Sequence, residues 1–158
     1  MQVKDIMTKQ VATCSPDDML DRAATLLWES DCGLLPVCVK DGINRLVGVI
    51  TDRDICMAAL FQGKPLRDLR VADAMARVLQ VCQRGDALAD VEAQLRQSQL
   101  RRLPVIDRDG ALDGIITLAD LAREAARERR AGTHHILESE VGDTLAKICE
   151  PLGARLVS

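Results

Sequence analysis

The chain carries one short stretch twice: residues 48–54 read GVITDRD, and residues 114–120 read GIITLAD. The repetition extends outward, because LPV at residues 35–37 returns 68 residues later at residues 103–105. A DG turn signal follows LPV in both copies. A near-constant offset through helical, extended and turn-like segments indicates two copies of one supersecondary unit. Two copies are too few for a solenoid, so we expect a closed pair.

The composition is that of a globular protein with a substantial hydrophobic core. The 158 residues are 47% hydrophobic and 28% charged, which suits one domain of ordinary size. A net charge of -3 gives no concentrated basic face for nucleic acid, and Trp28 and Phe61 are the only aromatic residues available for base stacking. With no bilayer-spanning apolar run and no signal segment, the sequence predicts a cytoplasmic protein without a nucleic-acid or membrane partner.

Six cysteines occur in the chain without a Cys-x-x-Cys pair. Free, buried thiols in a reducing compartment are the simplest interpretation. Cys14 and Cys82 take equivalent positions in the repeat, as small apolar core residues would, whereas a redox switch would need exposure and a lowered pKa. His134-His135 could begin a metal site, but no ligand spacing supports it, and a flexible polar linker is favoured.

The first half predicts a strand, a helix, two strands and a second helix. Leu20, Ala23 and Leu27 recur at helical spacing, and Ser15-Pro16 before them favours a helix start. Elsewhere in this half, residues 11–14, 34–39 and 46–50 predict strands, and residues 51–60 predict the closing helix.

The second half predicts the same order. Its strands fall at residues 79–82, 103–107 and 112–117, and its helices at residues 86–98 and from Leu118 onward. The arginine-rich end of the last helix is interleaved with Glu124 and Glu128, which favours a solvated face over a nucleic-acid or membrane patch. In the tail, Val141, Leu145 and Ile148 predict one more amphipathic helix.

These elements predict an α+β fold of two βαββα repeats with a C-terminal helical tail. We divide the chain into repeat 1 at residues 1–62, a linker at 63–70, repeat 2 at 71–130 and the tail at 131–158. Because so small a sheet cannot bury both of its faces alone, we expect the repeats to pack on each other with pseudo-two-fold symmetry.

Each repeat ends with the motif Gly-x-x-Thr-x-x-Asp at a strand-to-helix junction. One interpretation is structural, because Thr and Asp at this spacing form a capping box. The other is functional: a helix N-terminus offers free amides to a phosphate, and an acid one turn in can accept ribose hydroxyl groups. Glycine before the strand end would let a ligand approach the backbone. The two interpretations are compatible, since a capping Thr can still offer its hydroxyl group to a phosphate.

Several motifs in order resemble a tandem pair of cystathionine-β-synthase (CBS) domains over roughly residues 1–130. They are IMT, SPDDML, LLPV with DG, and GVITDRD, followed by DAMA, RRLPVIDRDG and GIITLAD. The resemblance implies a sensor module in which adenosine-containing ligands, such as AMP, ADP, ATP or S-adenosylmethionine, occupy clefts between the repeats. It also implies a homodimer that regulates an attached or partner protein and requires no cofactor.

The resemblance places a first candidate site around Asp54, which would hold the ribose, and Thr51, which would contact ribose or phosphate. Arg101 and Arg102 would reach the phosphate from the other repeat, since each arginine offers a planar fork of donors. The adenine would lie against the remaining residues of this site, Val49, Val78, Leu79 and Gln80. Without the repeat, a solvated connection would be the simpler interpretation of the two arginines.

The second candidate site lies around Asp120 and Thr117. The pair that matches the two arginines is here Gly33-Leu34, which carries no charge, although Arg53 would partly compensate. The adenine would face Gln10, Val11, Ala12 and Ile115. We therefore expect this site to be weaker, selective for less charged adenosyl compounds, or empty.

The predicted function is regulatory. No Ser-His-Asp order, phosphate-binding P-loop or metal-hydrolase motif occurs, so we do not expect an enzyme. A ligand spanning both repeats would shift an equilibrium between two arrangements by its difference in affinity for them, with the helix and tail after Thr117 as the output element. Two alternatives remain open: a dimeric interaction scaffold with non-functional clefts, and a redox or metal sensor built on the cysteines.

Overall fold

Two antiparallel hairpins lead directly into helices and so position the two Thr-x-x-Asp motifs. The computed structural model describes residues 1–77, 79–133, 136 and 138–151. In chain order the helices are α1 (Val3–Ile6), α2 (Leu20–Glu29), α3 (Asp52–Gln62), α4 (Val71–Ala74), α5 (Leu88–Ser98), α6 (Leu118–Ala131) and α7 (Glu138–Ile148), with a 3-10 turn at Leu66–Asp68. The strands are β1 (Leu35–Val39), β2 (Arg45–Ile50), β3 (Cys82–Gln83), β4 (Arg102–Ile106) and β5 (Leu112–Thr117). The mixed α+β class predicted from the repeat is confirmed.

The chain forms two compact units, each with its own core. The first-repeat unit comprises Lys9–Val81 and Ile106–Asp113, and the second-repeat unit comprises Met1–Thr8, Cys82–Val105 and the chain from Gly114 onward. These units differ from the sequence repeats, because the short segment that opens each repeat packs with the hairpin of the other.

The core of the first-repeat unit forms where α2 covers the β1–β2 hairpin. Leu35 pairs with Ile50, and both are fully buried. The predicted stripe on α2 is confirmed, since Leu20, Ala23 and Leu27 are all buried against this hairpin. Each buried leucine contributes about 1.5–3 kcal/mol relative to full exposure.

The core of the second-repeat unit is built in the same way. Leu88, Val91 and Leu95 of α5 are buried with Leu103 of β4 and Ile116 of β5. Buried side chains of α6 and α7 extend this core. Because α7 lies outside the repeat, the described part of this unit contains one more α-helix than its counterpart.

Two predictions about the start of the first repeat were wrong. Residues 11–14 form no strand; only Cys14 makes a bridge, a parallel one to Val37. The helix does not begin at Ser15, because α2 starts at Leu20. Instead, Ser15 N–H donates to the Asp18 carboxylate at 2.7 Å. Asp18, which was predicted to lie in the first turn of the helix, therefore stabilises a turn that precedes the helix.

The predicted strand at residues 79–82 is likewise reduced, to Cys82–Gln83. The tail helix is confirmed as α7, but its buried face differs from the prediction. Val141 and Ile148 are buried as expected, whereas Leu145 is 47% exposed and Thr144 is fully buried. Thr144 can be buried because its hydroxyl group donates to the buried carboxylate of Glu92 at 2.7 Å.

Candidate functional site

The first Thr-x-x-Asp motif forms a complete capping box at the start of α3. Thr51 N–H and the Thr51 hydroxyl group donate to Asp54 Oδ2 at 2.9 and 2.7 Å. In return, Asp54 N–H donates to Thr51 Oγ1 at 3.2 Å. The structural interpretation of the motif is therefore correct. The capping box engages one carboxylate oxygen of Asp54, Oδ2. The other oxygen, Oδ1, has no hydrogen-bond partner among the residues that the structure describes.

The second motif repeats this box at the start of α6. Thr117 N–H and hydroxyl group donate to Asp120 Oδ2 at 2.8 and 2.6 Å, and Asp120 N–H donates to Thr117 Oγ1 at 3.1 Å. One feature differs: Arg123, one turn further along, donates to Asp120 Oδ1 and forms an ion pair with it. Both oxygens of this carboxylate are thus engaged, and its side chain is only 5% exposed.

The source of this difference is visible in the sequence, although our sequence interpretation did not use it. The motifs are 66 residues apart, so the position equivalent to Arg123 in the first repeat holds Met57. A methionine three residues after Asp54 cannot pair with the carboxylate. Arg123 is the functional candidate that sequence reasoning missed, and comparison of the two helices residue by residue would have revealed it.

Arg123 lines a polar depression in the second-repeat unit. This depression has a volume of about 370 Å³ and is lined by Asp5, Ile6, Asp120, Arg123, Glu124 and Arg127. Arg127 forms a two-pronged hydrogen bond with Glu124, at 2.8 and 2.6 Å. This bond raises the pKa of Arg127 above its usual value. The solvated face predicted here is correct for the arginines but wrong for Glu124 and Glu128, which are buried.

The glycines of both motifs serve the chain itself. A Cβ added to Gly48 would lie 2.7 Å from Met75 Sδ and 3.0 Å from the Ala76 carbonyl oxygen. A Cβ on Gly114 would lie 2.5 Å from the Thr8 carbonyl oxygen. At each glycine, the absence of a side chain lets the opening segment of a repeat pack closely against the hairpin. The motif had suggested that a ligand would approach the backbone there.

The other predicted residues of the first site lie in both units. Val49 exchanges two backbone hydrogen bonds with Ala76, at 3.0 and 2.9 Å. Leu79 is half-buried and Gln80 is exposed. Val78 lies outside the described residues. Arg101 is exposed and Arg102 half-buried, and both belong to the second-repeat unit. The Arg101 carbonyl oxygen accepts from Leu118 N–H at 2.9 Å, which fixes this backbone beside the start of α6.

The remaining residues of the second site also lie in both units. Gln10 and Arg53 are exposed, and Val11 and Ala12 are half-buried, all in the first-repeat unit. Ile115 belongs to the second-repeat unit, where its backbone pairs with Thr8 and its side chain is 9% exposed.

Comparison with known proteins assigns the fold to a family. A family model for the CBS domain matches residues 3–60 and 71–127, which include both capping boxes. This chain belongs to the CBS domain family. Its structural neighbours are CBS-domain pair proteins.

Similar proteins include a bacterial relative and two CBS pairs whose structures contain bound ligands. CBS domain-containing protein YhcV of Bacillus subtilis is 37% identical over 131 residues, 83% of this chain and 90% of the relative. The structure of CBSX2 in complex with AMP is 32% identical with a TM-score of 0.71, covering 82% of this chain and 98% of that one. The CBS domain pair of MJ0100 in complex with 5-methylthioadenosine and S-adenosyl-L-methionine is 26% identical with a TM-score of 0.70, covering 81% and 98%.

The cysteines of this CBS pair comprise three buried thiols, the half-buried Cys32 and the exposed Cys56 and Cys149. Burial raises the pKa of Cys14 and Cys82 to about 12 and that of Cys38 to about 11. Neighbouring carboxylates add to the shift, since a second negative charge opposes ionisation. Among the described residues, no group of three or more His, Cys, Asp and Glu side chains could hold a metal ion, and no helix could cross a membrane. His134-His135 lies outside the described residues.

We expect a thiol reagent at pH 8 to label native protein rapidly at the exposed Cys56 and Cys149, but not at the buried Cys14 and Cys82. A thiol with a pKa of about 12 is ionised to about one part in ten thousand at this pH, so Cys14 and Cys82 should react only after unfolding. Mass spectrometry of labelled peptides with and without denaturant measures this difference. Rapid native labelling of Cys14 or Cys82 would instead favour the redox sensor.

Proposed function

We propose that this CBS pair is a non-catalytic regulatory module that binds an adenosine-containing ligand through the Asp54 capping box. The observation that carries the proposal is the state of Asp54, whose Oδ2 is fixed by Thr51 while Oδ1 remains available to accept from a ribose hydroxyl group. A carboxylate already held in place loses little freedom on binding, which favours affinity. The ligands named for CBSX2 and MJ0100 are all adenosyl compounds, which supports the same class here.

In the proposed site, Thr51 and the first turn of α3 face the charged end of the ligand. Arg101 and Arg102 supply the opposite charge, and Val49, Leu79 and Gln80 border the adenine. The arginines belong to the second-repeat unit and Asp54 to the first. Their assignment to one ligand site therefore rests on the family resemblance. Occupancy is read by a protein partner through α6 and the tail, and the module acts as a homodimer.

A thermal or denaturant shift with AMP, ADP, ATP and S-adenosylmethionine tests the ligand class directly. A ligand at a hundred times its dissociation constant should stabilise the folded protein by about 2.7 kcal/mol. Mass spectrometry of small molecules released by denaturing the purified protein identifies a resident ligand. If no adenosyl compound stabilises the protein and none is released, the module is an interaction scaffold.

The second site is proposed to be closed by Arg123. Because Asp120 Oδ1 is already paired with Arg123, a ribose must displace this arginine before the carboxylate can accept its hydroxyl groups. The absence of charge at Gly33-Leu34 weakens the same site further for phosphorylated ligands. We therefore propose that one ligand binds per chain, at Asp54.

Replacing Arg123 by methionine, the residue found at the equivalent position of repeat 1, should open the second site. The expected result in isothermal titration calorimetry with adenosine or S-adenosylmethionine is an increase from one to two ligands per chain. Arg130→Met is the matched control, since Arg130 is an exposed arginine on the same helix and should leave the stoichiometry unchanged. A second site that is already filled in the wild type, and is lost in Arg123→Met, would make Arg123 a ligand-binding residue instead.

A further inference from the structure

The connection from α5 into β4 carries the two arginines that are assigned to the ligand phosphate. Neither guanidinium group, of Arg101 or of Arg102, forms a hydrogen bond or ion pair within the part of the chain that the structure describes. The backbone around them is held on two sides. Leu100 N–H donates to the Leu95 carbonyl oxygen at 3.0 Å, and the Arg101 carbonyl oxygen accepts from Leu118 N–H at 2.9 Å. The arginine side chains are therefore available on a connection that α5 and α6 both fix.

A third contact ties this connection to α7, the helix that lies outside the repeat. Gln99 Nε2 donates to the Lys147 carbonyl oxygen at 2.9 Å, and Glu150 N–H donates to the same oxygen at 3.3 Å. Lys147 lies in the last turn of α7, where carbonyl oxygens lack an intrahelical partner, so the Gln99 amide caps this helix. Gln99 precedes Arg101 by two residues. Helix α7 is thus joined directly to the segment that presents the arginines.

The backbone of Gln99 adopts a left-handed conformation, with a φ of 52°. Glycine is the usual residue in this conformation after a helix, and Asp and Asn tolerate it better than most other residues. The equivalent residue of repeat 1 is Asp31, with a φ of 47°. Glutamine does not belong to this tolerant group, so its hydrogen bond to α7 offsets an unfavourable backbone conformation. In repeat 1 the uncharged pair Gly33-Leu34 replaces the arginines, and no described helix equivalent to α7 packs on that unit.

Helix α7 depends on tertiary contacts for its stability. It has only 11 residues, and an isolated helix of this length is marginal in water. Gly142 lies in its interior, although an added Cβ would meet no atom within 4 Å. No packing contact therefore requires this glycine, which lowers the intrinsic stability of the helix. We expect α7 to form when it docks on α5 and α6 and to unfold when it leaves them.

Two polar contacts anchor the docked helix. One is the Gln99 contact, and the other is the buried hydrogen bond from the Thr144 hydroxyl group to Glu92, at 2.7 Å. The ion pair between Arg129 and Glu138 at the start of α7 is largely exposed and contributes little. The end of α7 that contacts the arginine-bearing connection is therefore held by a single side chain, that of Gln99.

We propose that Gln99 is a positioning residue of the ligand site, which couples the docking of α7 to recognition of the ligand phosphate. Docked α7 restricts the backbone that carries Arg101 and Arg102, so less freedom is lost when the two guanidinium groups bind a phosphate. The coupling is reciprocal: a phosphorylated ligand stabilises docked α7 by the same factor by which docking tightens its binding. Adenosine, which has no phosphate, does neither. The inference rests on the proposed function and adds a physical route from the phosphate to the tail.

Gln99→Met tests the coupling, because it removes the amide donor with little change in size and none in charge. We expect calorimetric titration to show an affinity for AMP that is about three- to tenfold lower, with adenosine binding almost unchanged, since the net contribution of one hydrogen bond limits the effect. Gln97→Met is the matched control. Gln97 is an exposed glutamine on the same helix, and its replacement should leave both affinities unchanged.

Hydrogen exchange of the α7 amides measures the reciprocal effect. AMP should slow exchange in residues 138–148 of the wild type by a similar factor, and adenosine should not. Thr144→Val deprives the buried Glu92 carboxylate of its hydroxyl partner, so it should loosen α7 and lower AMP affinity as Gln99→Met does. Adding Glu92→Met replaces both partners by apolar side chains and should restore both the docking and the affinity.

Three results would overturn the coupling while the proposed function stands. They are an unchanged preference for AMP over adenosine in Gln99→Met, an equal loss of both affinities, and an exchange rate of α7 that AMP leaves unaltered in the wild type. The second of these would make Gln99 a structural residue only. A wild-type protein that binds neither AMP nor adenosine would overturn the proposed function together with this inference.

Discussion

Asp54→Ala should weaken the binding of adenosine-containing ligands at the first site at least about tenfold while the protein stays folded. The substitution removes the only carboxylate oxygen that the capping box leaves available to the ribose. A hydrogen bond to a charged group contributes about 1.5–3 kcal/mol, so the loss of one such bond weakens binding about 10- to 150-fold. Loss of contacts to both ribose hydroxyl groups would exceed this range. Calorimetric titration with AMP measures the change in affinity.

The capping box complicates this experiment, because Asp54→Ala also removes the carboxylate that accepts from Thr51 at the start of α3. Loss of a cap costs about 0.5–2 kcal/mol of stability. Asp120→Ala is the matched control, since Asp120 makes the same three capping hydrogen bonds at the start of α6. We expect both variants to lower the free energy of unfolding, Asp120→Ala by more because it also loses the ion pair with Arg123. Only Asp54→Ala should remove the stabilisation by AMP. If both variants retain the stabilisation by AMP equally, Asp54 supports only the start of α3 and does not bind the ligand.

Replacing Arg101 and Arg102 together by methionine should lower the affinity for AMP roughly 100-fold while leaving adenosine binding almost unchanged. The two guanidinium groups are assigned to the phosphate, which adenosine lacks. In the wild type, the affinity for AMP should fall with rising salt concentration because salt screens charge interactions, and the variant should lose most of this dependence. Titration of both ligands at two salt concentrations gives all four affinities.

Arg129→Met with Arg130→Met provides the matched control for that pair. Both are exposed, adjacent arginines of the second-repeat unit, and their removal changes the net charge by the same amount. If the control lowers AMP affinity as much as the double substitution at residues 101 and 102, the effect reflects the overall charge of the protein. An equal loss of adenosine and AMP binding would show that the arginines support the fold instead of the phosphate.

Much of the fold could be predicted because its signals are local. Strands β4 and β5 and the start of α6 fall within a residue of their predicted positions, since alternation, turn residues and caps act over a few residues. Both capping boxes follow from the same short motif. The wrong predictions concern segments whose conformation depends on residues distant in the sequence. Residues 11–14 look extended, but only Cys14 pairs, through one parallel bridge to Val37.

The sequence by itself determined the duplication, the α+β class and the two Thr-x-x-Asp boxes, because each depends on spacing within a short segment or between two copies of it. Tertiary structure decided which side chains of α7 are buried. Glu92 and Thr144 are 52 residues apart, and their hydrogen bond joins two buried polar side chains. Desolvation makes an unpaired buried carboxylate costly, so a distant hydroxyl group that satisfies it can place Thr144 inside and Leu145 outside.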